Sequence, residues 1–258
     1  ILSPLQRVEG KGFEPIDWES AMSRTVSEIR RIQAAYGNDA FAMLSGVSLT
    51  NEKSYMIGKF ARVALKTANL DYNGRLCMVS AGAGNKKAFG LDRISNSWAD
   101  LEHAKVIMIC GTNVSETFPT LTHYIWQARD NGAKLIVVDP RVTPIARTAD
   151  LHLPVKPGTD SALYGAMLKI LVNNDWLDHD FIDNHTSGFQ ETIDAVKNYD
   201  LQWAEKVTGI PAAKILEAAT LWGKASTSFL LHARGIEHHS KGVDNVVGCI
   251  NLVLATGR

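Results

Sequence analysis

Residues 105–139 read "KVIMICGTNVSETFPTLTHYIWQARDNGAKLIVVD", two continuous apolar runs with one helical segment between them. Neither run, at 105–110 or at 133–139, alternates with polar residues, so as a strand each must be covered on both faces. Such a strand, then a helix, then a second such strand is the unit of a parallel sheet packed between two helical layers. The pattern continues with a short strand "ADLHLPV" at 149–155 and a helix "SALYGAMLKILVNN" at 161–174. Shorter helices follow at 178–185, 190–197, 200–207 and 211–224. A further strand, "TSFLLHA", lies at 227–233, and a last helix runs to about 255.

Upstream, Asp17 is placed to cap a helix whose apolar face carries Trp18, Met22, Val26, Ile29, Ile32 and Tyr36, with Gly37 as its stop. "AFAMLSG" at 40–46 reads as a short buried strand, followed by a helix over 51–66. There is no internal repeat, low-complexity tract or long linker. The expected fold class is α/β, with two doubly wound, mainly parallel-sheet domains. One spans 96–204, and the other is discontinuous, made of 1–95 plus 205–258.

Composition narrows the function classes. With 258 residues, 45% of them hydrophobic, the chain can build one large core or two modest ones. Its 27 basic and 27 acidic residues cancel, so no overall field favours nucleic acid or an anionic membrane. No apolar run reaches the roughly 18 residues a membrane span needs. Cys77, Cys110 and Cys249 are widely spaced and contain no CxxC pair, which excludes a disulfide framework and fits a reducing compartment. The opening "ILSPLQRVEG" carries neither Met nor a secretory signal, and the expectation is a portion of a longer protein.

In a doubly wound sheet, ligands sit outside the carboxyl ends of the strands. Those ends read "CGTN", "VDPR" and "VKPGTD". Gly111 admits close backbone approach, Asn113 offers a donor and an acceptor, and Asp139 can accept from ribose hydroxyls or purine N–H groups. Thr159 and Asp160 either recognise a guanine edge or simply cap the next helix. No GxGxxG follows the first strand and no GxxxxGK[ST] occurs, which disfavours ordinary NAD or ATP binding. The loop "RGIEHHSKG" at 234–242 brings Arg234, His238, His239 and Lys241 together. Adjacent histidines diverge and lack a third ligand, so the loop suits an anionic or heteroaromatic ligand better than zinc. His103, His123, His152, His179, His185 and His232 are scattered and read as structural.

Cys110 and Cys249 fit as small buried hydrophobes. Cys77 lies instead between polar "NGR" and small-residue "SAGAG", and three readings stand: a core residue, a nucleophile, or a thiolate ligand to a soft metal. Arg75 could stabilise its thiolate, and no histidine base is close in sequence.

Four blocks in order, "YNGRLCMVSAGAGNKKAFGLD" (72–92), "CGTNVSETFPT" (110–120), "VVDPRVTPIARTADLHLPVKPGTDSAL" (137–163) and "ARGIEHHSKGVDN…INLVLATGR" (233–258), resemble the molybdopterin oxidoreductase family. The resemblance covers essentially the whole chain and lies closest to the assimilatory and periplasmic-type nitrate reductases. It implies a bis(molybdopterin guanine dinucleotide) cofactor whose molybdenum is bound by Cys77. Asn73 would contact the pterin. Gly111, Thr112, Asn113 and Glu116 would hold the pyrophosphate and ribose of one guanine dinucleotide, with Asp139, Pro140 and Arg141 lining the same pocket. Gly158, Thr159 and Asp160 would recognise its guanine, and Arg234, Gly235 and His238 would approach from the other half of the cleft. Arg75 and Met78 would tune the metal site.

Formate dehydrogenases usually place histidine after the metal-binding residue. Met78 stands here, which directs the reading to reduction of nitrate to nitrite by oxygen-atom transfer. Val47 departs from the family pattern, in which a glutamine often touches the cofactor. The resemblance also implies an electron-donor protein or subunit and, in the full-length protein, a 4Fe–4S cluster whose cysteine ligands are not in this sequence. The expected portion would be inactive by itself, and the expected compartment is the cytoplasm. The rival readings are a formate dehydrogenase or other family oxidoreductase, a non-catalytic scaffold of the same fold, and a plain nucleotide-binding module.

Overall fold

The computed structural model describes residues 2–92 and 96–258. The chain forms two compact units, one through Cys77 and one from Met78 to Arg258.

The first unit opens with an antiparallel hairpin of β1 (Leu5–Val8) and β2 (Gly12–Pro15). The α1 helix (Trp18–Tyr36) starts as its sequence requires: Asp17 Oδ1 accepts from the Ser20 N–H at 2.8 Å, and Gly37 ends it at φ 87°. Its apolar stripe is not buried, because the unit offers only short strands to cover it; Trp18, Met22 and Val26 are all exposed. β3 (Met43–Ser45) pairs in parallel with β4 (Leu70–Tyr72), and α2 (Asn51–Lys59) lies between them in sequence. The helix expected over 51–66 is α-helical only to Lys59 and then widens into a π-turn over Phe60–Ala64. The unit closes with α3 (Gly74–Cys77).

The second unit begins with α4 (Val79–Phe89), then a 3₁₀ segment at Trp98–His103, β5 (Val106–Cys110), α5 (Val114–Thr117), α6 (Thr122–Asp130), β6 (Lys134–Val138) and β7 (Leu151–Leu153). It continues with α7 (Asp160–Asn173), α8 (His179–His185), α9 (Phe189–Val196), α10 (Leu201–Thr208), α11 (Ala212–Lys224), β8 (Ser228–His232), α12 (Arg234–Glu237) and α13 (Gly242–Ala255). The strands form one parallel sheet in the order β7-β6-β5-β8.

Alternation along the strands splits the core in two. Met108, Cys110, Ile136, Val138 and Leu153 face one side, with Tyr164, Ile215, Trp222 and Leu252. Ile107, Ile109, Leu135 and Val137 face the other, with Leu101, Val114, Ile125 and Ile145. Both faces are covered, which is why the strands carry no polar alternation.

The units divide the chain along a different line from the one its sequence suggested. β8 is hydrogen-bonded to β5, and α13 packs on α4 and α7, so 205–258 shares the sheet and core of 106–173. The expected boundary at 95/96 abuts residues 93–95, which lie outside the described residues.

The small-residue run after Cys77 is helical, although it shows no apolar periodicity. Glycines on both helices serve packing: a Cβ on Gly84 of α4 would lie 2.5 Å from Val246 Cγ1, and one on Gly242 of α13 would lie 2.8 Å from Ser80 Oγ. α4 and α13 therefore approach closely only without side chains at these points.

β8 is an edge of the sheet. The Thr227 carbonyl and the Ala233 N–H both bond toward β5. In a parallel strand the N–H and C=O of one residue point the same way, so those of Ser228, Leu230 and His232 point outward. A cavity of about 390 Å³ runs beside this edge, lined by Phe89, Trp98, Phe181, Leu254 and Arg258 among others.

Two glycine substitutions separate packing from propensity. Gly84→Ala is expected to destabilise the second unit by about 1–3 kcal/mol through overpacking. Gly248→Ala, whose Cβ would meet Tyr164 at an ordinary 3.5 Å, gains about 0.5–1 kcal/mol of helix propensity. Urea denaturation of the two variants checks the opposite signs.

Candidate functional site at the carboxyl ends of the sheet

The strand order β7-β6-β5-β8 reverses direction between β5 and β8, which makes that crevice the topological switch point. There the chain leaving β5 touches the chain leaving β8. Gly235 N–H donates to the Gly111 carbonyl at 2.9 Å. A Cβ on Gly111, at φ +57°, would lie 2.7 Å from the Ile236 nitrogen, and one on Gly235 would lie 2.5 Å from Gly111 Cα. Both positions need glycine, and backbone is brought to the mouth of the crevice.

The neighbouring loops close around this contact. After β5, Thr112 is buried and Asn113 half-buried, while Glu116 is exposed. Asn113 Oδ1 is buried with no hydrogen-bond partner. After β6, Asp139 is 8% exposed, and its Oδ1 accepts from the Arg141 N–H at 2.7 Å; Pro140 and Arg141 are exposed. His152 Nε2 lies 2.8 Å from the Asp139 carbonyl, bracing this turn from β7.

After β7, Gly158 turns at φ +84° and leads to Thr159 and Asp160. Thr159 occupies the capping position of α7, but its hydroxyl donates to the Lys156 carbonyl and makes no capping bond. Asp160 is 4% exposed, and its Oδ2 is buried without a partner. Burial holds its carboxyl above the ordinary range and the charge of Asp139 adds to this, while a backbone hydrogen bond and His239 oppose it.

After β8, Arg234, Gly235 and His238 lie on or beside α12. His239, paired with His238 in sequence, reaches into the cluster: its ring nitrogens lie 2.8 Å from the Gly235 carbonyl and 4.0 Å from where a Gly158 Cβ would stand. Asn245 ties the floor together. Its Oδ1 accepts from the Ser161 N–H and hydroxyl, and its Nδ2 donates to the Ile236 carbonyl.

The four strand ends thus gather Gly111, Thr112, Asn113, Asp139, Asp160 and Gly235, with Gly158, Thr159 and Arg234 on the same loops. The cluster offers two buried acceptor oxygens with no donor beside a glycine–glycine backbone crossing, an arrangement suited to a ligand with N–H or O–H donors and phosphate groups. Sequence reading missed Asn245, although it left a signal as a polar residue inside an apolar helix.

In the first unit, Cys77 is half-buried and ends α3. Gly74 admits the Tyr72 ring, which a Cβ would meet at 2.2 Å. Arg75, expected to act on the Cys77 thiolate, has its Nε 2.5 Å from Asp71 Oδ2. The Asn73 side chain is in use as well: its Oδ1 accepts from the Val47 N–H at 2.8 Å, which fixes the turn after β3. Met78, half-buried, opens the second unit. The other two cysteines are core residues: burial pushes the Cys110 thiol up to about 12 and Cys249 well above its usual value. Among the described residues no cluster of metal-ligating side chains occurs, and no helix is long and apolar enough to cross a membrane.

A parallel four-stranded sheet covered on both faces, with a glycine crossing at its switch point, defines an α/β protein of the doubly wound class. The chain belongs to the molybdopterin oxidoreductase family, whose profile matches residues 1–258 and whose name carries its molybdenum-pterin cofactor. It is 40% identical over 259 residues to the assimilatory nitrate reductase catalytic subunit of Bacillus subtilis, covering 100% of this chain and 36% of that protein. It is 36% identical over 257 residues to F420-dependent formate dehydrogenase 2 subunit alpha of Methanococcus maripaludis, with 100% and 37% covered. Among solved structures it matches acetylene hydratase from Pelobacter acetylenicus with a TM-score of 0.77 and 25% identity, over 100% of this chain and 35% of that one. The chain therefore spans little more than a third of the length of these relatives.

The buried Asp160 carries a pH signature. The folded state holds its proton to higher pH than the unfolded chain does, so the group costs stability above the ordinary carboxylate value of 3.8 and nothing well below it. Asp160→Asn should stabilise the ligand-free protein at neutral pH by about 1 kcal/mol, a rise in Tm of roughly 2–4 °C. The advantage should vanish as the pH falls through the carboxylate range; thermal unfolding at a series of pH values checks it.

Proposed function

We propose that this chain is part of a molybdenum-dependent oxidoreductase that reduces nitrate to nitrite and carries a bis(molybdopterin guanine dinucleotide) cofactor. The observation that carries the reading is the pair of buried, donorless oxygens, Asn113 Oδ1 and Asp160 Oδ2, set around the Gly111–Gly235 crossing. A guanine edge presents N1–H and N2–H₂, the donors that Asp160 lacks, and Gly158 and Thr159 lie beside it. Gly111, Thr112, Asn113 and Glu116 then hold pyrophosphate and ribose, with Asp139, Pro140 and Arg141 on the same nucleotide. Arg234, Gly235 and His238 bound the site from β8.

When bound, the cofactor would supply two electrons to nitrate, and with two protons from solvent the oxygen of the broken N–O bond leaves as water while nitrite is released. The chain's own residues bind and orient it: Cys77 provides a thiolate to the metal, Asn73 contacts the pterin, and Arg75 and Met78 shape the surroundings of that thiolate. An electron-donor protein, a 4Fe–4S cluster elsewhere in the longer protein and a cytoplasmic setting complete the reading.

Met78 directs the substrate to nitrate, and the 40% identity to an assimilatory nitrate reductase supports this choice. Formate oxidation is the second reading, favoured by identities of 34–36% to three F420-dependent formate dehydrogenase subunits. A relative named as a hydratase has the same fold, so the fold alone does not decide between reactions.

Cys77→Ser in the longer protein should lower both molybdenum content per polypeptide and nitrate turnover at least about tenfold. Elemental analysis and an assay with reduced viologen and nitrate, run beside one with formate, check both halves. Wild-type metal content in the variant would remove Cys77 as ligand, and turnover of formate alone would replace nitrate.

A further inference from the structure

Glu237, 2% exposed, ends the short helix α12 that follows the sheet's edge strand. Its carboxylate is held between two side chains from the same strand end. Arg234 Nη1 bonds Oε2, and His232 Nδ1 stands 3.4 Å from Oε1. Burial alone would raise this carboxyl, but the nearby His232 ring and the Arg234 charge outweigh it and hold it below the usual range.

The turn that carries Glu237 is closely packed. A Cβ on Gly242 would lie 2.0 Å from the Glu237 carbonyl, and Asn245 clamps the Ile236 carbonyl at 2.9 Å. Arg234 differs in exposure: its side chain is 41% exposed, against 1% for that of Glu237. A guanidinium carries five N–H donors in a planar fork, and one edge bound to a carboxylate leaves the others directed outward in a fixed plane. A buried ion pair is a poor source of stability compared with apolar packing, so its value here is geometric.

We infer that Glu237 is a positioning residue: it locks Arg234 at the β5/β8 crevice so that the outer edge of the guanidinium meets a phosphate of the bound cofactor. The inference rests on the reading of this crevice as a phosphate-bearing cofactor site, and it adds a residue that acts only through Arg234. His232 Nδ1 lies 3.4 Å from the other oxygen of Glu237 without completing a hydrogen bond, so Arg234 is the bonded partner of the carboxylate.

A double-mutant cycle in the longer protein tests it: wild type, Glu237→Gln, Arg234→Ala and the double variant. The readouts are molybdenum and pterin retained per polypeptide after dialysis, and near-ultraviolet circular dichroism as the check on folding. Glu237→Gln keeps the side-chain volume and is expected to speed cofactor loss about tenfold, as loss of a supporting partner does. In the Arg234→Ala background the same change should add nothing, because its only route to the cofactor is gone. Multiplying losses in the double variant would show that Glu237 acts without Arg234, and the inference would fail. If Glu237→Gln does not fold, Glu237→Asp takes its place in the same cycle. Wild-type protein that carries no pterin would overturn the site reading and this inference together, an outcome recognisable because it needs no variant.

Discussion

The second unit depends on the contact between two backbone segments, Gly111 leaving β5 and Gly235 leaving β8. Each glycine occupies the space where the other's Cβ would be, and one hydrogen bond joins them. Without that approach the loops after β5 and β8 would stand apart, and the crevice at the switch point would be wider. With it, the residues following each glycine, Thr112–Asn113 on one side and Ile236–Glu237 on the other, are held against one floor. Asn245 and Ser161 extend the same floor to the start of α7.

Much of this was legible in the sequence, and the reason is physical. A strand covered on both faces must be apolar throughout, so 105–110 and 133–139 could be read directly, and their carboxyl ends marked the loops that converge. The helix start at Asp17 carries its own local signal and forms where the pattern placed it, and the helices at 178–185 and 200–207 are found with aspartate caps, Asp178 and Asp200, that the sequence reading did not single out. The resemblance of four blocks named the family, which the profile match over the full chain establishes.

What the sequence did not show falls into two kinds. The helix at Val79–Phe89 carries the small residues Ser80 to Gly84, of which Gly84 admits Val246 of α13, and such a surface has no apolar period to detect. The division of the chain between its units depends on which strand β8 joins. That pairing links Cys110 to His232, residues far apart in sequence, and no local pattern encodes it. In the site, Glu237 stayed hidden because burial of a carboxylate is decided by its partners, Arg234 and His232, rather than by its neighbours in the chain.

The parity of β8 has a consequence for how this edge can be observed. Phe229 and Leu231 offer their amides to β5, while Ser228, Leu230 and His232 turn theirs outward. Alternate residues of one short strand therefore report on different surroundings: odd numbers record the integrity of the sheet, and even numbers record whatever lies along its margin. Amide hydrogen exchange along these five residues would read as a two-channel gauge, in which slowing confined to the even channel registers a neighbour at the edge without any change in the sheet itself.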